Sequence, residues 1–192
     1  SVRWVGTQTQ YSYTSALNYG NLESQTESEW DGSAWSAFRQ NRYLYYPFAD
    51  ASHYLVSLPA SQEDYRCENA DCSNRVLTAA TRFLYDNNTT YQAAPSAGLL
   101  TTQRVLLTDS PATYQDTQYE YDAVGNIVQI TNYRDAGTET TLASTQPQHT
   151  IRCYGVENIG TGCEEDNHHT YLLWEKNDLG HETHWEYDYK VG

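Results

Sequence analysis

The sequence predicts an all-β chain of antiparallel β-hairpin repeats joined into one elongated, curved sheet, and three observations carry that reading. Eighteen Tyr and five Trp stand beside three Phe and no Met. The apolar material is therefore aromatic with polar tips, which suits sheet surfaces better than a helical core. The stretch Tyr119-Glu120-Tyr121-Asp122-Ala123-Val124-Gly125-Asn126-Ile127-Val128 spells out a hairpin. Tyr119 and Tyr121 alternate onto one face, and Ile127 opens the return strand. No stretch combines a 3.6-residue period with a capped start, so helix is not expected.

The turn inside that hairpin has a mechanism. Asp122 can accept hydrogen bonds from the amides that follow it, and Gly125 can supply the positive φ that closes a type I turn with a G1 bulge. A β-branched residue at 125 would be strained.

From the N-terminus, Thr7 to Tyr13 and Leu22 to Trp30 read as strands. Asp31-Gly32 is the next turn signal, and Trp35 to Tyr46 is a long strand that Pro47 ends. His53 to Leu58 is a short strand stopped by Pro59, and Ser61 to Asn74 is a polar loop holding two cysteines. Val76 to Asp86 has enough Ala and Leu for a helix, yet Thr78, Thr81, Phe83 and Tyr85 fit a strand at least as well, with Arg82 on the other face. Residues 87–97 form a polar, Pro-containing insertion before a return strand from Leu99 to Leu107. Two regions follow: residues 1–110, with degenerate hairpins and a Cys-containing loop, and residues 111–192, where the hairpin signature is clear.

Charge excludes one class of partner. Eleven basic against twenty-five acidic residues give a formal charge of -14, and a phosphate backbone needs a basic footprint, so no nucleic acid is expected. No apolar run approaches the length of a membrane span. The chain opens Ser1-Val2-Arg3-Trp4, without an initiator Met or a signal-peptide core, and closes at Val191-Gly192 inside a hairpin signal. It reads as a section of something longer.

The pattern at 119–128 resembles the RHS, or YD, repeats, whose motif is roughly Tyr-x-Tyr-Asp-x-x-Gly-Asn followed by an apolar residue. Tyr119, Tyr121, Asp122, Gly125 and Asn126 match it in full. Trp174-Glu175-Lys176-Asn177-Asp178-Leu179-Gly180-His181 aligns position by position, keeping the aromatic start at Trp174 and the glycine at Gly180. Trp185-Glu186-Tyr187-Asp188 begins a third copy, and fainter ones pair Tyr85-Asp86 with Gly98-Leu99 and Tyr13 with Gly20-Asn21-Leu22. The resemblance is strong over residues 114–192. It implies a segment of an RHS-type β-shell, as in bacterial toxin-complex and teneurin-type proteins. Such a shell encloses or presents a toxin or effector polypeptide, and the partners implied are the remainder of the longer repeat chain and that effector. The setting implied is secreted or on the bacterial cell surface.

Against that background the four cysteines read best as two local disulfides, Cys67 to Cys72 and Cys153 to Cys163, with free thiols as an alternative. A zinc site drawing on His149, His168 and His169 is a further alternative, although neither pair has Cys-x-x-Cys spacing. The acidic groups Glu164-Glu165-Asp166, and Glu63-Asp64 with Glu68 and Asp71, lack the spacing of a calcium loop and read as solvated faces. No cofactor or metal is expected.

No enzyme is expected either. There is no Gly-x-Ser-x-Gly elbow, no His-Glu-x-x-His and no phosphate loop. Asp122 and Asp188 are explained as turn formers, because the copy at 177 substitutes Asn. The competing function class is a carbohydrate-binding or adhesive module, with Trp30, Trp35, Tyr43, Tyr45 and Tyr46 stacking on sugar rings. Cross-strand packing of the same rings is the favoured account of them.

Overall fold

The computed structural model describes residues 6–13, 20–46, 57–155, 163 and 171–187. Among them are twelve strands and no helix: β1 (Thr7–Tyr13), β2 (Leu22–Trp30), β3 (Trp35–Tyr45), β4 (Pro59–Cys67), β5 (Arg75–Tyr85), β6 (Leu100–Asp109), β7 (Ala112–Tyr121), β8 (Ile127–Tyr133), β9 (Gly137–Thr138), β10 (Pro147–Cys153), β11 (Trp174–Asn177) and β12 (Glu182–His184). They form one open sheet in the order β1 to β8, then β10, β11 and β12, with β9 paired to β7. The all-β antiparallel class is as the sequence predicts. Short connections make sequential strands neighbours. Register slips at most seams, as between Glu120 and Tyr121 opposite Ile127, and each such bulge adds local twist. The sheet continues across residues 110 and 111, which lie in the β6–β7 turn.

β4 corrects the sequence reading. Pro59, expected to stop a strand, is the first residue of one, a position where its missing N–H is tolerated. Ser61 to Cys67, expected as loop, runs between β3 and β5. Polar residues serve there because neighbours answer them. The Tyr65 hydroxyl donates to Glu63 at 2.6 Å, the Arg75 guanidinium lies 4.7 Å from the centre of the Tyr65 ring, and Arg75 donates to Gln40 at 3.0 Å. The strand expected at His53 to Leu58 lies mostly outside the described residues, and Ser57 and Leu58 are not in a strand.

A single sheet has nothing of its own to cover its faces, so burial depends on connections that fold back. Among the described residues two do, over β5 to β7. The β8–β10 connection, residues 134–146, pairs β9 against Thr113 and Tyr114 of β7 and buries Ala143. The β5–β6 connection, residues 86–99, brings Tyr91 against a cluster of Tyr46, Ala60 and Tyr85 that Leu58, Phe83 and Leu100 complete. Tyr46 and Tyr85 meet edge to face with ring centres 5.5 Å apart, and the Tyr46 hydroxyl donates to the Phe83 carbonyl at 2.8 Å. Burial, with the Tyr121 hydroxyl nearby, pushes the Tyr85 hydroxyl up to about 12.

Candidate functional site

The hairpin turn at 122–126 is wired through one carboxylate. Asp122 N–H donates to the Asn126 carbonyl at 3.0 Å, and Gly125 N–H to the Asp122 carbonyl at 3.2 Å. Asp122 Oδ1 accepts from Val124 N at 3.0 Å and Asn126 N at 2.8 Å. Gly125 has φ of 95°. The copy at 177–181 repeats the circuit with an amide in place of the acid. Asn177 N–H donates to the His181 carbonyl, Gly180 N–H to the Asn177 carbonyl, and Asn177 Oδ1 accepts from Leu179 N and His181 N. Gly180 has φ of 78°. The shared part of the circuit uses one side-chain oxygen, which Asp and Asn both supply, and at 122 the second carboxylate oxygen also accepts from the Asn126 amide at 2.8 Å.

The two copies point to opposite rims. β10 lies between β8 and β11 and reverses the direction, so the 122–126 and 177–181 turns leave the sheet at different ends. A second acid performs a larger version of the same task. Asp86 accepts from Ser96, Ala97, Gly98 and Leu99 N–H groups at 2.6 to 3.1 Å, and its own N–H donates to the Leu99 carbonyl at 2.8 Å. Burial pushes its carboxyl up, but those four donors outweigh burial and hold it below the ordinary value.

Beneath the two folded-back connections lies a buried ionic network that the sequence reading did not find. Register places Arg82, Arg104 and Asp116 side by side on β5, β6 and β7. Asp116 is 0 % exposed, Arg104 3 % and Tyr114 1 %. Arg104 Nε donates to Asp116 Oδ1 at 2.8 Å, and Arg104 Nη2 donates to the Thr138 and Thr141 carbonyls at 2.7 and 3.0 Å. Ala143 N–H donates to Asp116 Oδ2 at 2.7 Å. Arg82 pairs with Glu139, which also accepts from the Tyr114 hydroxyl at 2.6 Å. Burial, reinforced by that bond, raises the Tyr114 hydroxyl. Both arginines have a carboxylate partner and Arg104 reaches two carbonyls as well, which helps to make such a network tolerable away from water, whereas the buried Arg82 Nε has no hydrogen-bond partner among the described residues. The available signal was Arg104 directly before the apolar run Val105-Leu106-Leu107, a charge that needs an acid partner wherever the strand is buried.

Two hollows open on this covered face. One of about 280 Å³ lies over Arg82 and Arg104 between residues 89–92 and 139–140. A larger cleft of about 560 Å³ lies between the Asp86 and Asp122 turns, walled by Asn88, Gln118, Glu120, Tyr121 and Leu142 among others.

The other sequence-predicted residues are dispersed. Trp30 and Trp35 meet edge to face across the β2–β3 turn with centres 5.5 Å apart. Tyr45 and Tyr46 lie at the far end of β3, where Tyr46 is 3 % exposed. The five aromatics, Tyr43 included, therefore make no single row. Cys67 is bonded to Cys72 and Cys153 to Cys163. Glu63, Glu68 and Asp71 are engaged by Tyr65, Arg66 and Ser73. Among the described residues no group of three His, Cys, Asp or Glu side chains could hold a metal, and Glu164 to His169 lie outside them. His149 bonds Asp178. Tyr187 stacks on Tyr171 at 4.7 Å, Trp174 sits half-buried at the start of β11, and Asp188 lies outside the described residues. No helix among the described residues is long and apolar enough to cross a membrane.

No protein-family model matches the chain, and no match was found among curated proteins.

Proposed function

We propose that the chain is a non-catalytic wall section of an RHS-type repeat shell, which encloses or presents a toxin or effector polypeptide at the bacterial surface or outside the cell. The observation that carries this reading is the backbone and side-chain hydrogen-bond circuit that the 122–126 and 177–181 turns share, one built on Asp122 and the other on Asn177. The most distinctive residues of the motif are spent on their own turn, and no shared acid is left for chemistry. The two disulfides fit an oxidising compartment. The outer edges of β1 and β12 have no strand partner among the described residues, which suits a piece that continues into neighbouring strands. Light scattering across a concentration series tests it, with the apparent mass expected to rise as edges pair. A strict monomer that also hydrolyses a glycan or peptide library, with loss of that activity in Asp122→Asn, would overturn the wall reading.

A further inference from the structure

The 560 Å³ cleft on the covered face has the size of a small-ligand site, and its polar groups are organised in a particular way. Three planar side chains in its wall are each pinned through one atom and free at the other. Gln118 Oε1 accepts from the Tyr133 hydroxyl at 2.8 Å, which leaves the Gln118 amide N–H group unused among the described residues. Glu120 Oε1 accepts from Gln129 at 3.0 Å, which leaves its second oxygen unused among the described residues. Asn88 Nδ2 faces the Ala93 and Ala94 carbonyls at 3.4 Å, so its Oδ1 is the free end. One donor and two acceptors thus stand ready with their orientations already set, and orientation fixed in advance lowers the entropy lost on binding. The Tyr121 hydroxyl hydrogen is committed to the Leu100 carbonyl at 2.6 Å. Leu142 adds an aliphatic wall.

Charge narrows the ligand. No Lys or Arg lines the cleft and three carboxylates do, so an anion is repelled. Two of those carboxylates are already answered, Asp86 by four backbone N–H groups and Asp122 by two together with the Asn126 amide. The unanswered groups are a mixture of donor and acceptor, and a hydroxyl, which donates and accepts through one oxygen, can answer either kind. We propose that this cleft binds a neutral saccharide unit, with Gln118, Glu120 and Asn88 taking its hydroxyls and Leu142 meeting its C–H face. The site is distinct from the Trp30 and Trp35 region. It does not depend on the wall reading.

The test is titration of the full chain with a panel of neutral mono- and disaccharides, followed by ligand-observed NMR, with ethylammonium as a charged control. At least one sugar should bind saturably, and Glu120→Gln and Gln118→Glu should each weaken it at least tenfold. Both variants keep the oxygen that Gln129 or Tyr133 holds and reverse the free end from acceptor to donor or the converse, so the melting temperature should stay close to that of the parent. Trp35→Ala should leave binding unchanged. Absence of saturable binding by any sugar, binding that survives both variants, loss in Trp35→Ala, or preference for ethylammonium would each overturn the proposal. Self-association is read separately, so either reading can fail without the other.

Discussion

The centre of the sheet and its N-terminal flank are made of similar strands but are held together differently. In β1 every residue is exposed, and in β2 and β3 only Ala37 is buried. The flank relies on rungs between neighbouring strands: Ser12 to Ser24 at 2.8 Å, Gln40 to Thr26 at 3.0 Å, and an ion pair between Arg39 and Glu27 at 2.7 Å. In the centre, residues 134–146 and 86–99 return across β5 to β7 and put Arg104, Tyr114 and Asp116 out of reach of water. Among the described residues, the buried charges of this polar sheet lie where its own connections supply a second layer. The core it acquires there is ionic as well as aromatic, because residues that face a polar strand surface can be buried only with partners.

The largest test of that contrast is Asp116→Ala. It leaves the Arg104 guanidinium buried without its acid, a class of change that costs roughly 3 to 5 kcal/mol. Thermal unfolding should show a large loss, and an unchanged melting temperature would mean that the second layer does not carry the centre. Gly137→Ala attacks the same place sterically, since a Cβ there would overlap the Asp116 and Arg104 side chains and stand 2.8 Å from the Thr141 carbonyl.

Next in size is Gly125→Val, for which strain of about 1 to 3 kcal/mol is expected because the position has positive φ. Val124→Ala, at a residue 65 % exposed, should be nearly silent. Equal losses in paired melting curves would show that the turn does not depend on residue 125. On the flank, Arg39→Ala should remove no more than about 1 kcal/mol, because an exposed ion pair in water contributes little. Urea unfolding that placed its loss near that of Asp116→Ala would erase the contrast between the regions.

Acid should give the smallest and most local effect. In the fold, burial pushes the Asp86 and Glu139 carboxyls up, but bonds from the backbone at Asp86 and from Tyr114 and Arg82 at Glu139 outweigh it, so both lie below their ordinary values. Their stabilisation is therefore complete above the unfolded carboxyl range of about pH 4 and is lost as pH falls through the lowered folded values. Hydrogen exchange at pH 6 and pH 3 should show the Ser96 to Leu99 amides losing protection. Unchanged protection there would disconnect the 86–99 loop from Asp86.

Much of the fold was legible because its causes are local. β1 and β2 have the ends read from alternation, and β3 ends one residue short of its expected end. The 122–126 turn follows from bonds between residues at most four apart. β4 was misread because its polar residues look like loop until Arg75 and Gln40 are placed beside them. β9 and β10 carried no motif, since two residues of β9 pair only by reaching back to β7. The cleft was invisible for the same reason: Asn88, Gln118 and Leu142 come from three separate segments.

By itself the sequence determined the class, the aromatic strands and the acid- or amide-capped turns, because alternation, positive φ at glycine and short-range acceptors act within a few residues. Tertiary structure alone decided which strands are covered, which rim each turn occupies, that Arg104 and Asp116 are buried together, and where a ligand-sized cleft opens. Those outcomes depend on the direction that β10 imposes and on where residues 86–99 and 134–146 return to the sheet. Pairing across tens of residues is set by the summed fit of many weak contacts, and no short window of sequence contains that sum.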